Sequence, residues 1–162
     1  MEWAATWMLR PQIRALVLSA DMDWTALEEG QPMRGLMPFC DRTHAYNNYS
    51  DDALKVSEWT KNTEKRLGRH GPRDLAKLPE RTLVVDATKP NGISVPSHDD
   101  LFTGSATVRE LGGVVKERLF DHWGYLYREA LIDDIVAVLK GVSAGAIPSR
   151  IHREGRLYGL RS

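Results

Sequence analysis

Cysteine is almost missing from this chain. Cys40 stands alone, so no internal disulfide can form and the fold must rest on packing and hydrogen bonds. A lone thiol also suits a reducing compartment. Charge of one sign is missing too, because 22 Lys and Arg balance 22 Asp and Glu. A neutral chain exerts no general pull on nucleic acid or on an anionic membrane surface. No apolar run approaches the ~20 residues that a membrane-spanning helix needs. The second residue is Glu2, where a secretory signal would carry positive charge. Repeats and low-complexity tracts are absent. These absences lead to the expectation of a cytoplasmic protein with no nucleic-acid partner and no membrane span.

What is present is ordinary for a globular protein. Of the 162 residues, 42% are hydrophobic and 27% charged, which is enough for a single domain (1–162) with a core. Residues 2–9 read as a short helix, with Trp3 and Trp7 one turn apart and Pro11 as its stop. Residues 13–19 form an apolar run without alternation, the pattern of a strand buried on both faces. A second strand is expected at 43–49 and a helix at 51–66, with Ser50 as a possible N-cap and Gly68 as its C′ residue. The β-branched run at 81–86 is a third strand. A long polar stretch occupies 87–106, and 107–119 reads as partly helical. A strong helix is expected at 126–140. Its apolar face is Leu131, Ile132, Ile135, Val136, Val138 and Leu139, and Gly141 ends it. Residues 145–162 read as a basic tail, through Arg150, Arg153, Arg156 and Arg161.

The alternation of strands and helices implies an α/β fold, a parallel sheet of three strands flanked by helices. Three parallel strands leave two unpaired edges. The chain also opens on a helix with no strand before it. Both features lead to the expectation that a preceding segment or a partner chain completes the sheet.

Ligands of open parallel sheets bind beyond the C-terminal strand ends. Three polar clusters fall there: residues 19–23, residues 47–54, and Phe120-Asp121-His122-Trp123-Gly124-Tyr125. An acid just past one strand, then another strand and loop, then a histidine before the last helix resembles the end of the α/β-hydrolase fold. Ser50-Asp51-Asp52-Ala53-Leu54 resembles the acid loop of an uncharacterised bacterial esterase- or lipase-like branch, and Asp121 to Tyr125 resembles its histidine loop. Ser19-Ala20-Asp21-Met22-Asp23 is similar to the end of the strand after the nucleophile helix.

The resemblance, covering about residues 13–141, implies the C-terminal half of a serine hydrolase for carboxylic esters. His122 would be the general base and then the general acid, and Asp51 would fix its tautomer. Asp23 is the alternative acid, although Asp21 and Asp23 could instead cap a helix at 24–29. Asp52 reads as a solvated first-turn residue. No metal or organic cofactor is implied.

The nucleophile departs from the pattern. The one Gly-x-Ser-x-Gly match, Gly141 to Gly145, follows a helix and comes after both the acid and the histidine. Ser19 lacks flanking glycines. The elbow and most of the oxyanion hole would therefore belong to residues outside this chain, a fragment or one half of a split gene. The competing expectation is a degenerate, non-catalytic hydrolase domain that binds or supports a partner.

The remaining polar residues carry weaker signals. His44, His70, His98 and His152 are scattered, and His98-Asp99-Asp100 lacks a second ligand cluster for a metal. Cys40 reads as structural, and Trp24 and Trp59 as packing residues. Arg69-His70-Gly71-Pro72-Arg73 is a basic turn that could meet an anion or simply face solvent. Asn47, Asn48 and Tyr49 could line a pocket or shape a turn.

Overall fold

The computed structural model describes residues 13–18, 20–61, 64–88 and 128–161. Three strands, β1 (Ile13–Val17), β2 (Cys40–Asn47) and β3 (Thr82–Asp86), lie side by side in parallel. The sheet does not stop at three. Two further strands, β4 (Arg150–Glu154) and β5 (Leu157–Leu160), extend it to five in the order β1-β2-β3-β5-β4. β5 runs parallel to β3 and β4 antiparallel to β5, so the molecule is an α/β protein with a mixed, mostly parallel sheet.

The expected basic tail is therefore corrected. Residues 150–160 are a hairpin turning at Gly155, whose φ of 50° falls in the left-handed region. Tyr158 and Leu160 are buried against the sheet. The arginines that suggested a solvated tail are employed within the fold. Arg156 donates to the carbonyls of Leu75, Leu78, Pro79 and Thr82, and Arg153 pairs with Asp86 at 2.8 Å.

Side chains alternate across the sheet, and both faces are covered, which explains the missing alternation in the sequence. One face carries Val17 and Ala45, packed with Leu27, Met37, Leu67 and Leu78. Met37 comes from a 3-10 helix, Pro32–Phe39, begun by proline at its first turn. The other face carries Tyr46, Val85, Tyr158 and Leu160, packed with Leu131.

Three α-helices are described: α1 (Asp52–Lys61), α2 (Leu67–His70) and α3 (Glu129–Leu139). The helix expected over 51–66 is thus shorter, and α2 begins only beyond it. Arg66 is extended (φ −98°, ψ 135°) and bridges Asp23, which holds that segment out of a helix. Gly68 lies inside α2, and Gly71 takes the positive φ of 75° beyond it. Residues 24–30 form turns rather than the expected helix.

α3 runs against the strand direction. Arg128, just before it, donates to the Ala87 carbonyl past the end of β3. Gly141, just after it (φ 81°), lies so near Arg14 of β1 that a Cβ there would sit 2.8 Å from Nη2. Its buried stripe is Leu131, Asp134 and Val138, while Ile132, Val136 and Leu139 are exposed. The apolar face read from sequence thus holds an aspartate at its centre.

Candidate functional site

The loops leaving β1, β2 and β3 are sewn together at the C-terminal rim of the sheet. Asn48 N donates to Gly68 O (2.8 Å), and Gly68 N donates to Ala20 O (2.9 Å). Ala87 N donates to Asn47 O (2.8 Å), and Tyr49 N donates to Thr88 Oγ1 (2.8 Å). The Asn48 side chain accepts from Ser50 N (3.2 Å), closing an Asx turn that aims the chain into α1.

Asp51 follows that turn and is fully buried. Its Oδ1 accepts from Leu54 N at 2.9 Å, so Asp51, rather than Ser50, caps α1. A carboxylate here also meets the positive end of the helix. Asp52 is half-buried in the first turn. His122 lies outside the described residues, as do Ser19, His98 and the polar clusters at 89–127. The chain leaves the described fold at Thr88 and rejoins it at Arg128. Both ends are tied to this rim, Thr88 through Tyr49 and Arg128 through Ala87.

Asp23 does different work. Its Oδ1 accepts from Thr25 N (2.8 Å) and Thr25 Oγ1 (2.6 Å). Burial pushes its carboxyl up, but these bonds and the nearby Arg66 and Arg73 hold it below its ordinary value. It caps a turn, where the sequence reading had it capping a helix at 24–29. Asp21 accepts from Ser57 Oγ (2.6 Å) and faces Arg66 at 3.3 Å.

The basic turn at 69–73 is paired internally. Arg69 and His70 meet Glu58 at 3.0 and 2.9 Å, and Arg73 meets Glu28 at 2.5 Å. His70 sits edge-on to Tyr49 (5.3 Å) and Trp24 (6.4 Å). Trp24 packs as expected, beneath Lys65 at 4.6 Å. Trp59 does not pack, being 90% exposed. Cys40 is buried, with Sγ 3.4 Å from Leu36 O. His152 is exposed and bonds the Gly155 carbonyl.

Gly141-Val142-Ser143-Ala144-Gly145 lies near Arg14, at the start of β1 and at the opposite end of the sheet from Asp51. Ser143 there is exposed, and the glycine is a helix terminator.

One polar assembly escaped the sequence reading. Beneath α3, Arg150 holds Asp134 with two bonds of 2.7 Å, and Asp134 also accepts from Tyr46 Oη (2.6 Å) and Ser149 Oγ (3.1 Å). Arg150 Nη2 lies 3.0 Å from His44 Nδ1. A guanidinium only donates, so Nδ1 is the acceptor and Nε2 carries the proton. Burial, reinforced by Arg150, pushes His44 down to about 4, so it is neutral at physiological pH. Burial and Asp134 likewise push the Tyr46 phenol upward. Enclosed this way, the group is a structural lock and not an open site. The one hint in the sequence is an aspartate flanked by Leu131 and Val138 on a helix face.

The His44 position predicts acid sensitivity. Its folded value, about 4, lies below the ordinary 6.5, so between those pH values the unfolded chain binds the extra proton. Stability should therefore fall as pH drops through that window, by on the order of 3 kcal/mol in all for a fully buried imidazole. His70, lowered by burial and opposed by Glu58, acts in the same direction. Urea midpoints measured from pH 7 to 4 should decline, and more gently in His44→Gln. An equal decline in that variant would contradict the assignment.

Comparison with known proteins returns no matching family model, curated protein or solved structure. What is defined is a class: an α/β protein whose strand-end loops converge on one rim, with a buried carboxylate at its centre. Among the described residues, no group of three His, Cys, Asp or Glu could hold a metal ion, and no helix is long and apolar enough to cross a membrane.

Proposed function

We propose that this chain is the C-terminal portion of a serine hydrolase that cleaves carboxylic esters. The observation that carries the reading is Asp51. It is a fully buried carboxylate between a parallel strand and its following helix, on the rim that also holds Thr88 and Arg128, the described residues on either side of 89–127. That segment contains His122. Asp51 would accept the imidazole N–H of His122, select its tautomer and stabilise the imidazolium. His122 would take the proton of a serine hydroxyl and return it to the leaving alcohol. The serine and its oxyanion hole would come from residues beyond these 162, because the internal Gly-x-Ser-x-Gly lies at the other end of the sheet.

The test begins with the coding sequence upstream. A strand followed by Gly-x-Ser-x-Gly is expected there, and the extended protein should hydrolyse short p-nitrophenyl esters. His122→Ala should reduce that turnover to near background. Undiminished turnover would discard the assignment. An extended protein that is folded but inert would instead favour a degenerate domain serving as a binding or structural subunit.

A further inference from the structure

A cavity lies away from the rim. It is a cleft of about 230 Å³ between the 3-10 helix and the start of β3. Arg34, Arg81, Thr43 and Thr82 supply its polar groups, with Met37 and Pro79 among its apolar walls. No carboxylate lines it.

Two enclosed polar atoms in this lining lack partners. Thr82 has no exposed surface, and its Oγ1 makes no hydrogen bond. Arg34 Nη1 is likewise enclosed without an acceptor. Native folds rarely leave buried donors unmet, and such groups call for a ligand, an ion or water. The frame around them is firm. Thr43 and Thr82 are directly opposite in the β2–β3 register, and Thr43 N donates to Arg81 O at 3.1 Å. Arg156 caps the neighbouring carbonyls of Leu78 and Thr82 at 3.3 and 3.4 Å, placing another positive charge behind the wall and occupying acceptors there.

We propose that this cleft binds a small organic oxyanion, a carboxylate or phosphate carried on a short apolar body. Two guanidinium groups and the unmet Thr82 hydroxyl supply donors, and no carboxylate lines the cleft. A guanidinium fork matches the paired oxygens of either anion. The apolar walls give the remainder of the molecule a dry surface. The size suits a short-chain acid rather than a nucleotide. Thr43 precedes Asn47, the last residue of β2, by four positions, about 13 Å along the strand and away from the Asp51 rim. The cleft is thus separate from the proposed ester site and suits an effector or a co-ligand.

Isothermal titration calorimetry on the whole chain tests this with three probes: hexanoate, inorganic phosphate and neutral hexanamide. Saturable binding of at least one anion is expected, with none of hexanamide. Hexanoate alone would assign a carboxylate, and phosphate alone a phosphate group. Arg81→Gln and Thr82→Val should each weaken binding about tenfold or more, the usual worth of a hydrogen bond to a charged group. Thr82→Val should also leave the ligand-free thermal midpoint unchanged or raised, because it removes an unmet hydroxyl. The proposal is overturned if neither anion saturates, if hexanamide binds equally, or if both variants bind like the parent. A lowered midpoint in Thr82→Val would overturn it too, since the hydroxyl would then already be satisfied within the fold.

Discussion

Replacing Arg150 with methionine is expected to cost about 3–5 kcal/mol of folding stability, because one partner of a buried ion pair would be left uncompensated. Arg150 and Asp134 have side-chain exposures of only 1% and 0%, so water cannot replace the lost partner. Asp134 would keep Tyr46 and Ser149 as donors but lose both guanidinium bonds. Asp134→Leu should be similarly costly. It would strand the guanidinium, whose Nη1 already lacks a partner. The double variant Asp134→Leu/Arg150→Met should lose clearly less than the two singles added together, since an apolar pair removes both charges at once. Urea denaturation of the four proteins checks this, and strictly additive losses would contradict the lock. Because Arg150 opens β4 while Asp134 sits on α3, the same variants should loosen the hairpin, read as faster amide exchange in β4 and β5.

The second large effect concerns chemistry. In the extended, active protein, Asp51→Asn is expected to lower kcat by about four orders of magnitude, through loss of the tautomer that leaves His122 able to accept the serine proton. Stability should change little, because asparagine caps helices about as well as aspartate. This separation is what makes the variant informative: a purely structural Asp51 would leave kcat near the parent's. Ester turnover and the thermal midpoint, measured together, distinguish the two.

Much of the fold was legible because its signals are local. β1 and β3 are short apolar or β-branched runs, and α3 has both helical spacing and Gly141 as its stop, whereas β2 is largely polar and runs Cys40–Asn47 rather than 43–49. Asp51 was legible from position, since strand-end loops of parallel sheets gather polar groups and a helix start favours a carboxylate. The hairpin was not legible. Arg150, Arg153 and Arg156 look solvated by composition. Only the fold shows that their guanidinium groups find Asp134, Asp86 and the carbonyls around Pro79. The lock was hidden for a related reason: its contacts join residues 88 and 106 positions apart. Nothing nearby in sequence reports that Asp134 has a buried arginine waiting opposite. The extended conformation of Arg66, which the sequence placed in a helix, likewise depends on a distant pairing, that of Asp23 with Arg66.

One titration bears most directly on the proposed pairing of acid and histidine. With 15N-labelled imidazole, the pKa of His122 can be followed by NMR in the parent chain and in Asp51→Asn. A nearby carboxylate favours the charged imidazolium, so neutralising it should lower the His122 pKa by about one unit or more. The same His122 titration in both proteins would mean that the two side chains do not meet, and the hydrolase reading would fail.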